Sequence, residues 1–106
     1  MPAADFNPTL LHQAVAGAAV TKDIAAALGR VAGRVVIRNS EGDPVFYALG
    51  TVPGLVAGLA DGVGQLNAGQ SIGWNDVFIT TMTFITAGPA AEIEIEASAI
   101  SEGELR

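Results

Sequence analysis

The side chains best suited to chemistry in this 106-residue sequence are one imidazole, His12, and three carboxylates at alternate positions, Glu92, Glu94 and Glu96. Nucleophilic catalysis needs a proton carrier oriented by a third group. His12 is the only histidine, and it stands beside Leu10 and Leu11 in a proline-bearing stretch. A metal centre built on imidazoles needs several of them. The carboxylates project from one face if their segment is a strand, as hard-cation ligands would. Their spacing opposes that use, because same-face neighbours stand about 6.5 to 7 Å apart along a strand, whereas calcium is normally gripped by a curved loop that also offers carbonyl oxygens. A solvated face that keeps an edge strand from promiscuous pairing is the expected role of the row. No catalytic residue, metal site or cofactor is expected, and the chain reads as a non-enzyme.

Two further groups invite a ligand. Gly58, Gly62 and Gly64 crowd one segment, yet neither G-x-G-x-x-G nor G-x-x-x-x-G-K-[ST] is present, so turns and close backbone approach explain them better than phosphate binding. Phe46, Tyr47, Trp74, Phe78 and Phe84 have faces on which a sugar could stack, but aromatics on strands ordinarily fill cores. Trp74, between Gly73 and Asn75 at an expected turn, is the one expected to stay partly exposed, as an interface anchor or as a ligand platform.

Half of the residues are hydrophobic, only 15% are charged and none is cysteine. A chain of this size folds as one domain and hides roughly 65% of its surface. Soluble domains usually carry about 25% charged residues, so apolar patches are expected to remain exposed and to mark contact surfaces. Five cations against eleven acids leave a formal charge of −6, and Arg30, Arg34 and Arg38 are the only close cationic set, which disfavours nucleic acid. The longest uncharged run, Pro44 to Ala60, is broken by Gly50, Pro53, Gly54 and Gly58 and is no membrane span. Met1 to Leu11 carries Asp5 and no cation, unlike a secretion signal, so a soluble, unprocessed chain is expected.

The elements that must position these residues are short. Pro2 and Pro8 oppose a helix and predict an extended arm over residues 1–13, whose Phe6, Leu10 and Leu11 are expected to seat in a groove of a neighbouring subunit. Between Ala14 and Leu28 two readings stand: Asp23 caps a short helix over Ile24 to Leu28 closed by Gly29, or both pieces are strands about a turn. So short a helix is marginal alone, which tilts the reading to strands. Arg34, Val36 and Arg38 alternate with Val35 and Ile37; the turn residues Asn39 to Pro44 follow, then Val45 to Leu49, so the stretch from Arg34 to Leu49 reads as a hairpin. Val77 to Thr86 predicts one or two strands, and Glu92 to Ala97 alternates cleanly. The fold class expected is all-β: a small antiparallel sandwich or jelly-roll-like barrel over residues 14–101, with the arm before it and a charged tail at 102–106.

The order of features, Arg34-Val35-Val36-Ile37-Arg38-Asn39, Val45-Phe46-Tyr47-Ala48-Leu49-Gly50, a glycine-rich loop, Leu66-Asn67-Ala68-Gly69-Gln70-Ser71, Phe84-Ile85-Thr86-Ala87-Gly88 and Ile93-Glu94-Ile95, resembles the small β-sandwich capsid decoration or cement proteins and head-fibre bases of tailed bacteriophages. The resemblance covers about residues 12 to 97. It implies a virion structural protein, made in the host cytoplasm and carried on the capsid surface, that forms a homotrimer and braces the major capsid protein, with neither nucleic acid nor membrane as a direct partner. Phe6, Leu10, Leu11, His12 and Trp74 are the candidate interface residues. A carbohydrate-binding module for receptor binding or adhesion is the competing expectation.

Overall fold

A computed structural model describes residues 9–99 of the chain. In chain order the elements are β1 (Thr9–Val15), β2 (Val20–Asp23), α1 (Ile24–Leu28), β3 (Ala32–Gly42), β4 (Val45–Leu49), β5 (Gly64–Leu66), β6 (Ser71–Ile79), β7 (Thr81–Thr86) and β8 (Ala91–Ala99). They form two four-stranded antiparallel sheets, β1-β8-β3-β6 and β2-β7-β4-β5.

These orders have one origin. The first strand pairs with the last, the second with the seventh, the third with the sixth and the fourth with the fifth. The chain is therefore a long double strand, folded back at the β4–β5 loop and rolled up so that successive strand pairs lie in alternate sheets. That is the jelly roll, in which inter-sheet packing replaces local hairpins as the source of stability. Of the seven links between successive strands, six cross from one sheet to the other, and only β4 to β5 stays within a sheet.

The core lies between the sheets because period-two patterning turns one side of each strand inward. Val35 and Ile37 of β3, Ile93, Ile95 and Ala97 of β8, Val45 of β4, and Met82 and Phe84 of β7 are all fully buried there. Removing a large side chain from such a site costs about 3 to 5 kcal/mol.

The stretch from Arg34 to Leu49 is not a hairpin. The turn falls where its residues predict, but β3 pairs with β6 and β8 while β4 pairs with β5 and β7 in the other sheet. Both strands have an apolar inward face, and crossing over at Asp43 and Pro44 lets the two faces meet instead of lying side by side. The helix alternative proves right for Ile24–Leu28, and a strand precedes it. Asp23 accepts a hydrogen bond from the Ala26 N–H at 2.9 Å, and Gly29, at φ 86°, donates to Ala25 O. The Ala25 N–H donates to Thr80 O in the β6–β7 crossover, so tertiary contact holds a helix that would be marginal alone.

The extended backbone foreseen for the arm is present from Thr9, with a different partner. Seven consecutive residues of β1 pair with β8 of the same chain, so residues 9–13 are part of the sandwich. Residues 1–8, including Phe6, and the tail 102–106 lie outside the described residues. No helix among the described residues is long and apolar enough to cross a membrane.

Candidate interaction surface

Of the residues singled out for an interface, Phe6 lies outside the described residues and the other four do not share one surface. Leu10 and His12 point outward from β1, at one edge of the first sheet, whereas Leu11 turns inward and packs against the core. Trp74 sits on β6 at the opposite edge, three strand spacings or about 14 Å away. It is not at a turn: β6 runs unbroken through Asn75 and Asp76. Half-buried, Trp74 meets Tyr47 edge to face, with ring centroids 5.7 Å apart and planes at 74°. Both rings lean on the core instead of offering a flat platform for a sugar. A Cβ on Gly64 would strike the Tyr47 ring, so only glycine fits beside it, and burial pushes the Tyr47 phenol above its usual range.

The outer face of the first sheet is charged. Register places His12, Glu94, Arg38 and Ser71 in one row across β1, β8, β3 and β6. His12 Nδ1 lies 3.5 Å from Glu92 Oε1, and an Arg38 guanidinium nitrogen lies 3.7 Å from Glu94 Oε1. The alternation over Glu92–Ala97 is as expected, with the glutamates outward and Ile93, Ile95 and Ala97 inward. Its role as an edge guard is overturned, since β8 is a central strand flanked by β1 and β3. The row instead supplies anions to neighbouring cations on a wet face. Among the described residues no group of three or more histidines, aspartates or glutamates is arranged to hold a metal ion. At the crossover end, Glu41, Gly42, Ala90, Ala91 and Glu92 line an open cleft of about 330 Å³ whose charged groups are the two carboxylates.

The second sheet is different outside. Phe46 and Ala48 of β4 and Ile85 of β7 face away from the main core, a surface too apolar to leave in water. The glycine-rich loop of residues 50–63 covers it. Leu55, 6% exposed, packs with Ala48 and Ile85, and Val52, Val63 and Ala19 complete this second, smaller cluster.

One hydroxyl fastens the loop. Thr83, fully buried on β7, donates to Gly50 O and accepts from the Val52 N–H, both at 2.9 Å. Its proton is thereby committed, so in the 2.9 Å contact with Thr21 Oγ1 the Thr21 hydroxyl is the donor. Thr83 thus makes every hydrogen bond a hydroxyl can make. The Gly50 N–H donates to Thr81 O, and Thr51 and Thr81 join their hydroxyls at 3.0 Å. Above this anchored base Val56 and Leu59 stand 69% and 71% exposed, and Leu49 at its foot 47%.

At the other end Asn39 performs a similar task. Fully buried, it donates from Nδ2 to Asp43 O and Leu66 O, while its backbone bonds Gln70 O and the Gly69 N–H, joining the β3–β4 and β5–β6 crossovers. Sequence reading saw Asn39 only as a turn residue and passed over Thr83, because nothing local distinguishes a threonine that fastens a loop from one that fills a strand. Comparison of the chain with protein-family models, curated proteins and solved structures finds no match.

Proposed function

We propose that this chain is a non-enzymatic assembly protein of the capsid-decorating kind, a β-sandwich that associates with its own copies and clamps the outside of a phage shell. The observation that carries this reading is a set of apolar side chains displayed on a molecule whose own core is complete. The total accessible surface is 5651 Å², close to the roughly 5,500 Å² expected of a monomer of this mass. Burial within the chain is therefore not deficient, and Val56, Leu59 and Phe78, each about 70% exposed, gain nothing structurally from being apolar. Exposed apolar side chains, where they lie side by side, suit contact with a partner.

The jelly roll is shared by capsid proteins, lectins and metal-binding cupins, and the fold alone chooses none of them. A several-histidine metal centre is not available to a chain with one histidine. A lectin-like platform is disfavoured by the edge-to-face packing of Trp74 on Tyr47. On a shell, many weak contacts repeated by symmetry produce tight binding from modest single affinities.

The test has two steps: the gene neighbourhood is searched for a major capsid protein, whose absence counts against the reading, and the purified chain is then co-sedimented with shells assembled from that protein. Saturable binding in a fixed ratio to capsid subunits, with a raised temperature of shell disruption, is the expected result. A chain that stays in the supernatant and leaves shell stability unchanged sinks the proposal.

A further inference from the structure

The loop between β4 and β5 is fastened at its base and outwardly greasy, and these two properties together assign it a use. Its base is fastened by Thr83, Thr81 and Thr51, and its own burial is satisfied by Leu55, Val52 and Val63. Val56 and Leu59 are surplus to that local core and stand exposed on a loop whose base is already fastened. Fastening of this kind lowers the entropy cost of association.

Charge decides which partner suits it. A contact between two identical copies about a two-fold axis sets a surface against itself, so any net charge on it is doubled in opposition. The chain carries −6 overall. The outer face of the first sheet holds Glu41, Glu92, Glu94 and Glu96 against Arg34 and Arg38, and would repel its own image. From Pro44 to Ala60 there is no charged residue, and Asp61 is the only one in the loop. Three of the exposed large apolar side chains, Leu49, Val56 and Leu59, fall within that uncharged run.

We infer that the β4–β5 loop is the self-association surface of this protein, with Val56 and Leu59 packing against the same loop of a second copy. This rests on the assembly reading above and replaces the amino-terminal arm with the loop as the element that joins copies. The loop then lies at the axis, leaving the charged face of the first sheet free.

Three proteins measured by sedimentation equilibrium decide it: wild type, the double variant Val56→Asp/Leu59→Asp, and Leu10→Asp on β1. All three sites are exposed, and far-UV circular dichroism checks that each variant folds. The wild type is expected to be an oligomer, and the double variant a monomer with association weakened about 100-fold or more, the effect of losing two central apolar contacts. Leu10→Asp is expected to keep the wild-type mass. An unchanged mass for the double variant overturns the loop assignment while leaving self-association standing. Dissociation by Leu10→Asp alone moves the contact to the β1 edge and overturns it equally. A wild type that is monomeric at every concentration removes self-association itself, and the assembly reading then depends on shell binding alone.

Discussion

The two sheets are alike inside and opposite outside. Each turns Val, Ile, Phe or Met toward the shared core, but the first sheet meets water through His12, Glu92, Glu94, Glu96 and Arg38, while the second presents Phe46, Ala48 and Ile85 and must be covered. The chain supplies the cover from its midpoint, where the rolled double strand folds back. A charged face needs only solvent. An apolar face needs a lid, and this lid, once anchored, carries surplus apolar groups outward. The difference teaches that exposed Val56 and Leu59 follow from how the second sheet is finished, and so belong to a lid anchored on that sheet.

Three substitutions sharpen or break that comparison. The largest effect is expected at the shared core, where Phe84→Ala should cost about 3 to 5 kcal/mol and lower the urea midpoint and Tm of the whole molecule. A loss well under 2 kcal/mol would mean that the interior between the sheets is not what holds them together. Next, Leu55→Ala should cost about 2 to 3 kcal/mol, expressed mainly as faster proteolytic nicking within residues 50–63, with the near-ultraviolet signal of Trp74 preserved. If Leu55→Ala instead abolishes that signal together with the loop, lid and sandwich are one cooperative unit and the contrast fails. Smallest of all, Glu94→Gln removes the pairing with Arg38 on the wet face and should change stability by less than about 1 kcal/mol, with a reduced dependence on salt. A larger loss would show that the charged face is structural and not merely solvated.

Much of this architecture was legible in single segments. The run from Glu92 to Ala97 could be assigned face by face, because strict alternation admits one buried side. Arg34 to Ile37 and the turn after it were equally plain. The helix at Ile24–Leu28 could be read from Asp23 and Gly29 but not chosen, since five residues are too few to be stable without the contact to Thr80. Trp74 was misplaced at a turn because Asn75 and Asp76 are turn formers by habit, yet pairing of β6 with β3 carries the strand through them. As for the surface, Leu10, His12 and Trp74 were named together for an interface and the sheet order puts them at opposite edges, and the glycine-rich loop was recognised without any sign that Leu55 would fasten it to a sheet.

By itself, the sequence determined which side of β3 and of β8 is wet and where the chain turns after β3, because side-chain polarity and backbone preference act within a few residues. Only the tertiary structure decided which strands pair, that β3 and β4 part company, and that the loop folds over the second sheet. Strand pairing is made by backbone groups common to every residue, so a strand does not carry the address of its partner. That address is settled when two apolar faces find the arrangement that hides both.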